Sequence, residues 1–158
     1  MNGRVTGEGG IHWRRVLLGG AAGAVICLLS GIAVGVMVLE GAVQAPFDTL
    51  ETGPTGAWVG YAGYAMRAGF GFLVAWLYAA IRPRFGPGPA TGLKAGLFVW
   101  LATRLYLGFL VYLLGVYSLR TTLVALLWAL AEMGVVGLVA GWLYREHPSS
   151  ALDVEEDS

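Results

Sequence analysis

The chain has 158 residues and no net charge, and 57% of its residues are hydrophobic against 13% that are charged. This balance, with a mean hydropathy of +0.69, excludes a disordered or nucleic-acid-binding protein. The apolar residues gather in four runs of 23 to 25 residues. Because about 20 apolar residues cross the hydrocarbon core of a bilayer, the composition predicts a membrane protein.

Few residues of the chain could serve as ligands or catalysts. The single cysteine, Cys27, and the two histidines, His12 and His147, argue against an internal disulfide, a zinc cluster and a bis-histidine haem site. Ser30 lies in an apolar run, but no histidine or aspartate does, which argues against an intramembrane protease. We therefore expect a non-enzymatic protein with no cofactor, metal or catalytic residue.

The N-terminal third of the chain reads as a polar segment, one span and a connection. Residues 1–15 are polar, and residues 16–39 contain no charge. Small residues at 43–45 resemble a signal-peptidase site, but the apolar run is longer than a signal peptide has, so we interpret it as an uncleaved helix. Residues 40–56 form an acidic connection.

Three further spans are expected at residues 57–81, 95–117 and 121–144. Residues 82–89 read as a stiff basic linker, and Ser118–Arg120 is so short that the last two helices form an antiparallel hairpin. The sequence thus predicts an all-α membrane protein, a four-helix antiparallel bundle over residues 16–144, with an acidic tail at 145–158.

Positive charges predict the orientation, because lysine and arginine are retained on the cytoplasmic side. Seven basic residues fall on the side of the two termini, and Arg120 alone falls on the other side. The seven are Arg4, Arg14, Arg15, Arg82, Arg84, Lys94 and Arg145. We expect both termini in the cytoplasm, with Arg82, Arg84 and Lys94 in contact with lipid headgroups.

Three ionised side chains, Arg67, Arg104 and Glu132, lie inside the spans at a similar depth near the bilayer midplane. An isolated charge there is costly, so the three are expected to turn inward and meet. In one interpretation Glu132 pairs with the arginines and locks the bundle, and Arg67→Met is then tolerated. In the other, the surplus positive charge holds an anion. Tyr64, Trp100, Thr103 and Gly108 are candidates for lining a pocket there.

Glycines recur at four-residue spacing, which lets helices approach closely. The pattern appears as Gly19-x-x-x-Gly23, Gly31-x-x-x-Gly35 and Gly137-x-x-x-Gly141. It fits packing within the chain, and it also fits a face for a second copy or a partner membrane protein.

The segment Trp76–Pro89, W-L-Y-A-A-I-R-P-R-F-G-P-G-P, resembles an uncharacterised family of small bacterial four-helix integral membrane proteins. The later stretch Gly141–Glu146 is similar to the ends of those proteins. The resemblance implies a bacterial inner membrane and brings no activity with it. We therefore expect a structural or accessory membrane subunit, or alternatively a small anion transporter or channel that uses Arg67 and Arg104.

Overall fold

A computed structural model describes residues 12–37 and 58–144 of the chain. In these residues it contains four helices: α1 Trp13–Met37, α2 Trp58–Phe85, α3 Pro89–Leu113 and α4 Leu119–Leu143. Each helix is long and apolar enough to cross a membrane, as a multi-pass membrane protein requires. The predicted acidic connection at 40–56, the small residues at 43–45 and the acidic tail lie outside the described residues.

Helix α2 continues beyond Ile81, where the sequence predicted its end. It passes through Pro83 and ends at Phe85. The helix tolerates this proline because proline lacks only one backbone N–H donor and Pro83 lies in the last turn. The predicted eight-residue linker shrinks to Gly86–Gly88, whose two glycines have positive φ angles of 79° and 131°. The Thr91 hydroxyl closes this turn by donating to the carbonyl oxygen of Gly86 at 2.8 Å.

Helix α3 begins at Pro89 and not at Ala95, because proline suits the first position of a helix. It contains a π-helical segment, Trp100–Leu105, between two α-helical parts. It ends at Leu113, where the sequence predicted a helix up to Tyr117. The Ser118 hydroxyl accepts a bond from the Thr121 N–H at 3.2 Å and thereby caps the start of α4.

The helices pack in a fixed set of pairs. Helix α1 contacts α2 and α4, helix α3 also contacts α2 and α4, and α2 contacts α4. The core between them contains side chains that are almost fully buried. The largest of these are Tyr78, Met133, Val74, Val99, Val136 and Cys27.

Glycines bring two pairs of helices into backbone contact. A side chain on Gly71 in α2 would overlap the backbone of Gly23 and Ala24 in α1. Gly92 in α3 and Gly137 in α4 face each other in the same way. These glycines are therefore used in packing within the chain.

Tyr144 marks one end of the molecule, which we call the tyrosine end. Its hydroxyl accepts a hydrogen bond from the backbone N–H of His12 at 3.0 Å, and its ring lies edge-on to Tyr78 with 5.6 Å between the ring centroids. The Tyr78 hydroxyl in turn accepts from the Gly88 N–H at 3.2 Å. The start of α1, the turn between α2 and α3 and the end of α4 thus lie together. We call the opposite end, with the turn Leu114–Ser118, the turn end.

Candidate functional site: a charged cavity between the helices

A buried ion pair joins α2 to α4. Arg67 Nη2 donates to Glu132 Oε2 at 2.8 Å. The Glu132 side chain is only 1% exposed, and that of Arg67 is 20% exposed. A carboxylate so deeply buried requires a positive partner, and Arg67 supplies it.

A third helix holds the same arginine. Arg67 Nε donates to the backbone carbonyl oxygen of Cys27 in α1 at 2.6 Å. Gly31, one turn further along α1, makes room for this contact, because any side chain there would overlap the Arg67 guanidinium. The Nε and Nη2 atoms form one edge of a guanidinium, so this edge of Arg67 is fully used.

Arg104 has a different environment. It lies in the π-helical segment, with its guanidinium carbon 4.3 Å from the centroid of the Phe70 ring. Its Nε and Nη2 atoms are buried and have no hydrogen-bond partner. Among the described residues there is no ion pair between Arg104 and Glu132. The three predicted charges thus converge on one region, but only two of them pair.

A partly open cavity of about 190 Å³ joins all three charges. It lies mainly between the last half of α3 and the first half of α4, and α1 and α2 each contribute one side chain. Its lining consists of Val34, Arg67, Arg104, Leu107, Gly108, Val111, Tyr117, Thr122, Ala125, Leu126, Trp128, Ala129 and Glu132. Most of these side chains are apolar, and the charges lie together at one end.

Unpartnered polar atoms concentrate on this lining. In residues 12–37 and 58–144, five buried side-chain nitrogen or oxygen atoms lack a hydrogen-bond partner. Four of them belong to lining residues: Arg104 Nε and Nη2, Thr122 Oγ1 and Glu132 Oε1. The fifth is Arg15 Nη1. Because a buried polar atom without a partner is costly, the cavity is suited to a polar or charged occupant.

One of the four predicted pocket residues, Gly108, lines the cavity. The other three lie elsewhere: Tyr64 is 53% exposed, Trp100 Nε1 donates to the Leu126 carbonyl at 3.0 Å, and the Thr103 hydroxyl donates to the Val99 carbonyl at 2.6 Å. For Trp100 and Thr103, the interpretation assumed an unbroken α-helix, and the π-helical segment changes which side of α3 each residue occupies. Tyr64 lies on α2, whose rotation about its own axis turns this side chain outward.

Sequence reasoning missed most of the apolar lining, although a signal was present. Residues 104, 107, 108 and 111 on α3, and 122, 125, 126 and 129 on α4, follow the spacing i, i+3, i+4, i+7 of a single helix face. Two such stripes on consecutive helices that lead to charged residues indicate a shared cavity.

Tyr117 lies in the turn beyond the spans, and burial raises the pKa of its hydroxyl, which therefore stays protonated.

The basic residues expected at lipid headgroups lie around the tyrosine end. The Arg82 guanidinium is 5.2 Å from the centroid of the Tyr144 ring, and the Lys94 ammonium is 4.4 Å from that of Phe85. Arg84 is exposed.

In the part of the chain that the structure describes, no three histidine, cysteine or acidic residues are grouped so as to hold a metal ion.

No protein-family model matches the chain, and no curated protein or solved structure shows significant similarity to it. The resemblance of Trp76–Pro89 to small bacterial membrane proteins stays a prediction from the sequence.

Proposed function

We propose that this chain is a non-enzymatic protein of the bacterial inner membrane that binds and transports a small anion between its helices. It folds as an antiparallel four-helix bundle with both termini in the cytoplasm. The anion occupies the cavity beside Arg104. The observation that carries this proposal is the edge of the Arg104 guanidinium, whose two buried nitrogens have no hydrogen-bond partner.

The two arginines are a natural comparison within one site. Arg67 directs its Nε and Nη2 atoms at a backbone carbonyl and at the Glu132 carboxylate. Arg104 has the same two atoms buried on a residue that lines the cavity, and nothing accepts a hydrogen bond from them. Because this edge of a guanidinium matches two oxygens of an anion, Arg104 offers a place for one.

The charge balance supports the same assignment. Arg67 and Glu132 neutralise each other, so Arg104 remains as an uncompensated positive charge in a membrane-spanning helix. Its contact with the Phe70 ring compensates only part of the cost of burial. A monovalent anion in the cavity makes the whole site neutral.

A structural or accessory subunit is the second candidate function. The Arg67–Glu132 pair favours it, because this pair joins α2 to α4 without any ligand. In that function Arg104 is held by its contact with the Phe70 ring, and no anion is recognised.

Thermal unfolding of the purified protein in nanodiscs distinguishes the two functions. Chloride, fluoride, phosphate and short carboxylic acids are added in turn to the wild type and to Arg104→Gln. At 100 times its dissociation constant, a bound anion stabilises the wild type by about 2.7 kcal/mol. We expect this stabilisation to disappear in Arg104→Gln and to persist in Arg84→Gln, a matched change at an exposed arginine.

The stabilising anion is then tested for uptake into proteoliposomes. We expect uptake by the wild type and by Arg84→Gln, and none by Arg104→Gln. A wild type that no anion stabilises would contradict the proposal and would leave the structural function.

A further inference from the structure

The cavity has a charged end and an apolar body. Arg104 and Glu132 lie at the charged end, and the other lining residues of α3 and α4 lead from there toward the turn end. From Glu132 to Thr122 the cavity follows ten residues of α4, which is about 15 Å at 1.5 Å per residue. A small inorganic anion would occupy only the charged end of such a space.

We infer that the anion is a monocarboxylate of about six carbons with an unbranched or aromatic apolar tail. This inference rests on the proposed function, since it names the class of anion that the Arg104 site takes. The carboxylate binds the free edge of Arg104, and the tail lies among Leu107, Val111 and Leu126.

The geometry of Arg104 favours a carboxylate over a halide. Nε–H and Nη2–H point in parallel from one edge of the guanidinium, and the two oxygens of a carboxylate accept both bonds at once. A halide ion accepts at a single point. Both nitrogens are buried without a partner. A ligand that accepts a hydrogen bond from each of them therefore removes more of the free-energy cost of burial than a ligand that accepts from one.

Charge selects a monovalent ligand. Arg67, Arg104 and Glu132 sum to one positive charge, which a monocarboxylate neutralises. A dianion would leave the buried site negative, and it would be repelled by Glu132, whose Oε1 atom is buried and unpaired.

The volume sets the length of the tail. A cavity of about 150 Å³ lined by apolar side chains holds one benzene ring. This cavity measures about 190 Å³, so it holds a body of that size together with a carboxylate. Such a ligand is shorter than the distance from Glu132 to Thr122, and its tail therefore ends among apolar side chains.

The test measures dissociation constants for acetate, butyrate, hexanoate, octanoate and dodecanoate with the full chain in phosphatidylcholine nanodiscs. Each methylene group that enters the cavity should tighten binding about fourfold up to six carbons, and longer tails should gain nothing more. Hexanol and hexylamine have the same number of carbons but no carboxylate, and we expect neither to bind. A gain that continues to dodecanoate would indicate a membrane-derived fatty acid in an open groove and would overturn the assigned tail length.

Two variants test the two ends of the ligand separately. Arg104→Lys keeps the positive charge but loses the paired donors, and it should weaken hexanoate binding at least tenfold. Ala125→Leu leaves the charges untouched and fills part of the cavity body, so the best-bound chain should become shorter. If Arg104→Lys fails to fold, the change of chain length in Ala125→Leu decides the question.

The possible failures are distinguishable. If chloride, acetate and hexanoate bind equally well and all require Arg104, the anion site stands and the assignment of an apolar tail is wrong. If hexanol binds as tightly as hexanoate, the cavity recognises only apolar bodies, and both this inference and the proposed function fail.

Discussion

Arg67 and Arg104 show how strongly the role of a residue depends on its partners. Both are arginines in membrane-spanning helices, and both line the same cavity. Arg67 connects α1, α2 and α4 through Cys27 and Glu132, so its contribution is to stability. Arg104 contacts an aromatic ring and leaves one edge unused. Under the proposed function, its contribution is to binding.

At the residue scale, we expect Glu132→Gln to destabilise the protein by about 3–5 kcal/mol, the usual cost of removing one member of a buried ion pair. The change leaves Arg67 with its backbone contact but without its counter-charge. Thermal melting in detergent measures the effect. A variant that melts like the wild type would show that Glu132 does not hold Arg67.

The observed pairing reverses an expectation drawn from the sequence, in which Arg67→Met was tolerated because Arg104 remained to pair with Glu132. Arg104 forms no such pair in the described part of the chain, so Arg67→Met strands a carboxylate that is 1% exposed. We expect a loss of about 3–5 kcal/mol for Arg67→Met and of less than about 1.5 kcal/mol for Arg104→Met.

The same melting assay compares the two variants without added anion. Equal losses would mean that both arginines support Glu132. The double variant Arg67→Met with Glu132→Met should recover most of the loss, because it removes both members of the pair together.

At the scale of elements, the contact between α3 and α4 depends on the absence of side chains. We expect Gly137→Ala to destabilise the protein by about 1–3 kcal/mol, since its new methyl group would overlap the backbone of Gly92. Gly69→Ala is the matched control, because no atom outside its own stretch of helix backbone lies within 4 Å of a methyl group placed there. It should be neutral or stabilise the protein by about 0.4–1 kcal/mol.

Melting temperatures of the two alanine variants check this contrast. If both variants melt like the wild type, α3 and α4 are not held in backbone contact.

The sequence was sufficient to predict the helices themselves, because length and hydropathy decide whether a segment can cross a membrane. The helix ends were less predictable. Pro83 suggested a helix stop, yet α2 passes through it, and Pro89 starts α3 where a linker was expected. The π-helical segment also went unpredicted, because no residue type specifies it.

The site was predictable in its charges but not in its pairing. The free-energy cost of exposing a charge to lipid indicates that charged side chains in a span turn toward the other helices, and Arg67 and Glu132 do so. Which arginine pairs with Glu132 depends on how each helix is rotated about its axis. Composition and spacing contain little of that information, and Tyr64, Trp100 and Thr103 were misplaced for the same reason.

At the scale of the whole molecule, the distribution of basic residues predicts that both termini lie in the cytoplasm. The contacts of Tyr144 with His12 and Tyr78 place the start of α1 and the ends of α2 and α4 on one side, as this topology requires. A reporter that is active only in the periplasm, fused after Ser158, should be inactive. The same reporter inserted in the turn between α3 and α4, next to Gly115, should be active.

The π-helical segment Trp100–Leu105 determines which residues in the second half of α3 face the cavity. Each residue turns an α-helix by about 100°, and the wider turn of a π-helix reduces this to about 80°. A chain in which the same six residues were α-helical would keep the charges and nearly the same hydropathy, and it would still cross the membrane. The half of α3 beyond them would be rotated by about a quarter of a turn or more relative to Gly92 and Gly96. Leu107 and Val111 would then leave the cavity lining, and two chains with almost identical hydropathy profiles would differ in whether they contain this cavity.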